Sequence, residues 1–149
     1  MKEKFFSFAM LSSLFLTLLV VSALARTPEE MTVTIPFDFT VGQTTLPAGT
    51  YTIDRTSANT TEVFSICDAD RQVKAVFNTH TVETEELSVA LRLEFRQYGD
   101  QYFLGQIWSG GNSGHELPQS SLERGLAKEI KLHPAQKGGK IEVVPVSGQ

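Results

Sequence analysis

Residues 35–51 read IPFDFTVGQTTLPAGTY, and this stretch decides the predicted fold. From Val33 to Val41 every second residue is apolar, and the residues between them are Thr34, Pro36, Asp38 and Thr40. An apolar side chain at every second position predicts a β-strand with one buried face. Because Pro36 has no N–H to donate to a strand ladder, it places this segment at a sheet edge or a bulge, or splits it into two strands.

Two tight turns are predicted within the same stretch. Gly42 and Gln43 suit a two-residue type II′ hairpin turn, because glycine readily adopts the positive φ of the first central position. Pro47 and Gly49 fit the second and fourth positions of a type I turn. We therefore predict a strand, a tight turn, a short strand, a second tight turn and another strand.

Short strands separated by polar turns continue along the chain. We predict strands at residues 50–55, 62–67 and 73–77, the last extending towards Val82, and a strongly amphipathic strand at residues 91–96. Such a pattern is typical of an antiparallel barrel or sandwich. We predict an all-β fold, a small antiparallel barrel with a two-sheet β-sandwich as the alternative, and one C-terminal α-helix packed on it.

Gly99 and Asp100 predict a hairpin turn that leads into a strand at residues 102–108. With a two-residue loop, the cross-strand pairs are Phe95 with Leu104 and Leu91 with Trp108, while Phe103 and Ile107 face the other side. A three-residue loop through Gln101 would shift the register and exchange the two faces.

The helix is predicted at about residues 121–132. Ser120 and Glu123 have the spacing of a capping box, in which the serine accepts a hydrogen bond from the backbone of the third helical residue. Leu122, Leu126 and Ile130 form an apolar stripe on one side of this helix. Since so short a helix is unstable alone, we predict that it covers the face that carries Phe103 and Ile107, or the barrel end beside that face.

The first 25 residues have the features of a signal peptide. A basic start precedes a nearly wholly apolar run at residues 5–21, and small residues then predict cleavage after Ala25. The alternative is an uncleaved membrane anchor. After cleavage we predict a polar leader at residues 26–30, the β-domain at 31–134, and a flexible tail at 135–149 with a possible edge strand. The protein is then periplasmic or extracellular and has no stable membrane span.

Charge and cysteine content restrict the function further. The chain carries 13 Lys and Arg residues against 17 Asp and Glu residues, which argues against nucleic-acid binding and against electrostatic docking on anionic lipid. Cys67 is the single cysteine, so no intramolecular disulfide is available. Because Asp68 and Asp70 follow it and no local cluster of cations would lower the pKa of its thiol, Cys67 is predicted to be a small core residue rather than a reactive or dimer-forming thiol.

Several motifs resemble those of a family of small exported bacterial proteins. They are PFDF at residues 36–39, VG at 41–42, LPAG at 46–49, Tyr51, YGD at 98–100, YFL at 102–104, Trp108 and ELP at 116–118. That family is functionally uncharacterised. The resemblance implies export and an all-β body, and it implies no catalytic or binding residue.

Candidate site residues are few. Trp108 ends a strand before a glycine-rich loop, where it would present a platform to a sugar or flat apolar ligand, or else fill the core opposite Leu91. With Asn112 and His115 it forms our candidate ligand site, although His115 itself is expected at the surface. No catalytic residue, metal site or cofactor is predicted, since no ligand-spaced or nucleophile motif is present.

The leading functional hypothesis is therefore an exported non-catalytic β-domain with a binding or cell-envelope structural role. Its partner would be a small molecule, a glycan or an envelope protein. One alternative is a secreted hydrolase with carboxylates assembled across strands, around Glu83, Asp100, His115 or Glu116. The other alternative is a small barrel that carries an apolar ligand.

Overall fold

The computed structural model describes residues 30–57, 60–85, 90–132 and 138–146. The predicted signal peptide, and the leader as far as residue 29, lie outside these ranges. The described elements, in chain order, are β1 Met31–Ile35, β2 Phe39–Val41, β3 Thr44–Leu46, β4 Gly49–Ser57, β5 Thr60–Cys67, β6 Val73–Asn78, β7 His80–Glu83, β8 Arg92–Tyr98, β9 Gln101–Trp108, β10 Ser113–Glu116, α1 Ser121–Leu132 and β11 Gly138–Pro145.

The strands form two sheets. Sheet A has the order β1-β4-β5-β6, and sheet B has the order β11-β8-β9-β10-β7, with β2 beside β9 and β3 beside β2. All pairings are antiparallel except the short parallel contact between β2 and β9. The all-β class with one helix is confirmed. The predicted barrel is wrong, since the described strands do not close: β1 and β11, the neighbouring edges of the two sheets, do not pair. The two-sheet alternative fits.

The stretch at residues 35–51 links the two sheets. Pro36 splits the predicted first strand, so that β1 belongs to sheet A while β2 and β3 belong to sheet B. Val41 pairs with Thr44 across a two-residue loop, and Gly42 has the positive φ, 61°, that this turn requires. At the second turn the Asp38 carboxylate accepts a hydrogen bond from the Ala48 N–H at 2.8 Å. The chain then returns to sheet A as β4.

The β8–β9 hairpin contains a bulge that the sequence reading missed. Tyr98 pairs with Gln101, so the loop has two residues, and the predicted pair of Phe95 with Leu104 is confirmed. Beyond this pair the register shifts at Gly105, and Leu93 pairs with Ile107 while Arg92 pairs with Trp108. The predicted pair of Leu91 with Trp108 is therefore wrong. Because one extra residue reverses the alternation, Ile107 faces the core and Trp108 faces outward.

One hydrophobic core lies between the sheets. Sheet A contributes Val33, Ile35, Tyr51, Ile53, Phe64 and Ile66, and sheet B contributes Phe39, Leu93, Phe95, Leu104, Ile107 and Val144, all of them buried. Phe39 and Phe95 meet edge to face at 5.6 Å, whereas Phe64 and Phe77 are stacked at 6.2 Å. Cys67 at the end of β5 is buried, as predicted. Val144 belongs to the last strand, which takes an edge position, where Pro145 is tolerated.

The helix occupies the predicted residues but packs through a different side. The Ser120 hydroxyl accepts a hydrogen bond from the Glu123 N–H at 3.1 Å, which confirms the predicted N-cap. The helix lies against β8 and β11 on the outer face of sheet B. Its buried residue is Glu123, whereas Leu122 is 49% exposed. Within the described ranges, no helix is long and apolar enough to cross a membrane.

The turn between β5 and β6 gives a first testable prediction, on pH. Lys74 lies 2.6 Å from the Asp68 carboxylate, and the backbone N–H groups of Gln72 and Asp70 also donate to it. These contacts, with the Lys74 hydrogen bond the largest, lower the pKa of the Asp68 carboxyl. A lowered folded-state pKa stabilises the fold above the unfolded pKa, and this stabilisation is lost as the pH falls through the folded pKa.

We therefore expect Asp68→Asn to lower the urea midpoint at neutral pH and to converge with the wild type in strong acid. Urea titrations between neutral and strongly acidic pH measure this difference. Asp70→Asn in the same turn is the control and is expected to change the urea midpoint less than Asp68→Asn, since the contacts given above are made to the Asp68 carboxylate. An Asp68→Asn difference that stays constant over the whole pH range would contradict the prediction.

Candidate functional site

Trp108 matches neither of the two predicted roles. It is buried, so it is not an open platform, and it lies outside the core in which it would pack opposite Leu91. It is 5% exposed, faces outward from sheet B and does not belong to the central core cluster. The Arg92 guanidinium lies 5.6 Å from the centre of its ring. On the other side, a Cβ on Gly114 would approach the ring to 2.6 Å, so a glycine is needed beside it. Trp108 therefore packs against its own sheet instead of offering a face to a ligand.

Asn112 and His115 do not join Trp108 in one site. Asn112 is exposed, and its carbonyl accepts a hydrogen bond from the Thr84 N–H at 2.9 Å. His115 is 6% exposed, and its ring lies 4.8 Å from that of Phe64 in sheet A. The expectation of a surface histidine is wrong, because residues 113–116 form β10 and alternate residues of a strand face opposite sides. The candidate residues are thus divided among the inner face, the outer face and a loop.

A histidine and a carboxylate meet on the outer face of sheet B. Strand β7 pairs with β10, and this pairing places His80 Nε2 3.4 Å from a Glu116 oxygen. The other Glu116 oxygen lies 3.7 Å from Arg96 Nη1. His80 and Glu116 are far apart in the sequence. Their proximity depends on strand pairing between distant segments, for which the local sequence has no signal.

The residues of the hydrolase alternative are dispersed. Asp100 lies in the β8–β9 turn, His115 faces the core, and Glu83 lies at the opposite end of β7 from His80. A groove of about 160 Å³ holds Glu116 and Glu94, but Glu94 is ion-paired with Arg92 at 2.8 Å and Glu116 has the partners given above. Small-molecule sites usually measure about 300–1,000 Å³, so this groove is too small for a substrate of that kind.

Arg96 is the centre of the polar contacts on this face. Its Nε donates to Glu123 Oε1 at 2.5 Å and its Nη2 donates to Glu123 Oε2 at 3.2 Å, the paired geometry of a fork-shaped ion pair. Nη2 also donates to the Leu117 carbonyl at 3.1 Å. The ion pair thus fastens the first turn of α1, and the segment before it, to the centre of sheet B.

The bulge at Gly105 makes room for this ion pair. A Cβ at this position would lie 3.1 Å from Arg96 Nη1 and 3.2 Å from the Glu94 carbonyl, closer than ordinary contacts. The Gly105 carbonyl also accepts a hydrogen bond from the Leu117 N–H at 2.8 Å. The bare backbone of β9 therefore lets the arginine side chain lie across the sheet and reach the helix.

The ion pair sets the rotation of α1 about its axis. Successive helical residues are separated by about 100°, so a helix that turns Glu123 towards the sheet turns Leu122 away from it. Leu126 and Ile130 lie between these directions and are half-buried. The apolar stripe therefore packs on the sheet only in part, and one side of it remains open.

This open side forms one wall of a cleft of about 470 Å³, which we call the helix–hairpin cleft. The β8–β9 turn forms the other wall. Its apolar residues are Leu126, Ile130 and Tyr98, and its polar residues are Asp100, Gln101 and Glu129. Its volume falls in the range of small-molecule sites. None of the sequence-predicted ligand residues lines it, and the missed signal was the apolar stripe itself.

Tyr98 at the base of the cleft is held in its neutral form. Burial, followed by the negative charge of Glu123, raises the pKa of the Tyr98 hydroxyl. The hydroxyl oxygen accepts a hydrogen bond from Gln119 Nε2 at 3.2 Å. The tyrosine therefore adds apolar surface and a neutral polar group to the cleft at physiological pH.

Comparisons of the chain with protein-family models, with curated proteins and with solved structures find no match. The resemblance to a family of small exported bacterial proteins therefore stays a prediction.

Proposed function

We propose that this chain is an exported, non-catalytic binding domain whose ligand site is the helix–hairpin cleft. The single observation that carries the proposal is the half-open apolar stripe of α1. A short helix gains its stability by burying such a stripe. Here Leu126 and Ile130 remain partly accessible on the wall of a cleft of ligand size. A ligand in the cleft would cover this surface, at about 25 cal/mol of stabilisation for each Å² of apolar area removed from water.

The helix is held over the cleft independently of any ligand. The ion pair of Arg96 with Glu123 and the Ser120 cap both act on its first turn. Leu126 and Ile130, which line the cleft, follow one and two turns later. The binding wall is therefore preorganised, and a ligand would not have to supply the free energy of fixing the helix.

The other functional hypotheses have less support. The hydrolase alternative needs converging catalytic groups, and the carboxylates of the outer-face groove are already paired with cations. The apolar-ligand barrel loses its premise, since the described strands do not close and one packed core lies between the two sheets. Export rests on the first 25 residues and on the resemblance described above.

A thermal-shift screen of the mature chain, from Arg26 to the C-terminus, tests the proposed function. The ligands are glycans, fatty acids, amines, haem and divalent metals, since binding to the native state raises the melting temperature. In a second variant, Ile130→Trp, a larger side chain fills the cleft. The matched control is Leu132→Trp on the same helix, at a residue that is 77% exposed and outside the cleft.

We expect at least one ligand to raise the melting temperature of the wild type and of Leu132→Trp, but not of Ile130→Trp. A ligand that stabilises Ile130→Trp as strongly as the wild type would place the site elsewhere. No shift with any ligand class would overturn the proposed binding function.

A further inference from the structure

We infer that the helix–hairpin cleft takes an amphipathic organic cation, an apolar body that carries one ammonium or guanidinium group. This inference rests on the proposed function, because it names the ligand class of the same site. It follows from the distribution of apolar and charged side chains around the cleft, and from which of these charges already have partners.

The apolar part of the ligand would meet the inner walls. Tyr98 belongs to the sheet, and Leu126 and Ile130 come from the helix, so apolar surface is present on two sides. The neutral Tyr98 hydroxyl lies at this end with its Gln119 partner. A purely polar ligand would leave this apolar surface uncovered, so the ligand needs an aliphatic or aromatic body.

The cationic part would meet two carboxylates on opposite walls. Asp100 lies in the β8–β9 turn and Glu129 lies on α1, and both line the cleft. Within the described residues neither has an ion-pair partner, whereas Glu94, Glu116 and Glu123 on the same side of sheet B each pair with an arginine. Among the residues that the structure describes, the cleft therefore holds two carboxylates without an ion-pair partner.

The basic residues of the helix do not neutralise these charges. At about 100° for each residue, Arg124 and Lys128 lie about 160° around α1 from Leu126 and Lys131 lies about 140° from it, on the side away from the cleft. Glu129 lies about 60° from Leu126 and lines the cleft with it. An anionic amphiphile such as a fatty acid would meet like charges here, and a neutral one would desolvate two carboxylates without compensation.

Two sources can supply this chemistry: a free aliphatic amine, and the basic side chain of a polypeptide with apolar neighbours. Both place a cation between Asp100 and Glu129 and an apolar group against Leu126 and Ile130. The experiment separates them with two probes, n-octylammonium chloride and the tripeptide amide Leu-Lys-Leu-NH₂.

Isothermal titration calorimetry of the mature chain tests the inference with three octyl compounds that differ in their head group: n-octylammonium, octanoate and 1-octanol. We expect n-octylammonium to bind more tightly than the other two, with an affinity that falls as salt is added. In Asp100→Asn/Glu129→Gln we expect its affinity to fall about tenfold, as for the loss of two partly exposed charges. Glu62→Gln/Asp70→Asn makes the same change of net charge away from the cleft and is expected to leave the affinity unchanged.

If the tripeptide binds more tightly than n-octylammonium, with the same dependence on Asp100 and Glu129, the cation belongs to a polypeptide. If n-octylammonium binds more tightly, the cation belongs to a free amine. Octanoate or 1-octanol binding as tightly as n-octylammonium, with loss in Ile130→Trp, would overturn the ligand class while leaving the proposed binding function intact. The proposed ligand class would also be overturned if both double charge variants reduced the affinity for n-octylammonium equally, since the effect would then come from net charge alone.

Discussion

Arg96→Ala and Glu123→Ala are each expected to lower the free energy of unfolding by about 3–5 kcal/mol, the usual effect of removing one partner of a buried ion pair. Glu123 is 1% exposed and its two carboxylate oxygens both accept hydrogen bonds from Arg96. Without the arginine, the carboxylate stays buried with its charge uncompensated. Without the glutamate, Arg96 keeps the Leu117 carbonyl and the more distant Glu116, and the first turn of the helix loses its ion pair to the sheet.

Chemical denaturation of both single variants measures this prediction. The double variant Arg96→Met/Glu123→Leu removes both charges and keeps apolar volume, and we expect it to recover much of the lost stability. Arg124→Ala on the exposed side of α1 is the control, expected to cost less than about 1 kcal/mol. If the single variants are as stable as this control, the ion pair does not stabilise the position of the helix. The argument that the cleft is preorganised would then fail.

Phe95→Ala is expected to lower the free energy of unfolding by about 3–5 kcal/mol, the range for a large buried aromatic residue. Phe95 is fully buried in β8, between β11 and β9 of sheet B. Its ring packs in T-shaped geometry with those of Phe37 at 5.2 Å and Phe39 at 5.6 Å, measured between ring centres. Removal of the ring would leave a cavity where the 35–51 stretch packs onto the hairpin.

Urea denaturation of Phe95→Ala measures this cost. Val76→Ala is the matched control, since Val76 also lies in a strand but on the exposed side of sheet A, and we expect a change within about 0.5 kcal/mol. A Phe95→Ala variant with the same midpoint as Val76→Ala would contradict the common core between the sheets.

The local structure follows closely from the sequence. Pro36 ends β1 because proline cannot donate to the ladder, and Gly42 turns the chain because glycine tolerates a positive φ. Alternating apolar residues predict β8, and Ser120 predicts the start of α1. Each of these features depends on residues within a few positions of one another, so the chain carries the whole signal locally.

The arrangement of the sheets needed the tertiary structure. Whether edge strands β1 and β11 pair decides between a barrel and two sheets, and no short-range pattern bears on it. The same holds for the bulge at Gly105, which exchanges the faces of Ile107 and Trp108. A bulge adds one residue to a regular alternation, and its position becomes visible only when the partner strand is in place.

The candidate site, too, is a product of long-range contacts. The sequence alone predicted an amphipathic helix and the stripe that it would bury, through the four-residue spacing of Leu122, Leu126 and Ile130. The tertiary structure decided otherwise, because Glu123 meets Arg96 from a strand 27 residues earlier and turns the helix about its axis. A carboxylate that is paired with a cation can be buried where an unpaired one cannot, and the residues around Glu123 in the sequence do not indicate that Arg96 will be its partner. That one ion pair leaves part of the stripe exposed and so creates the cleft.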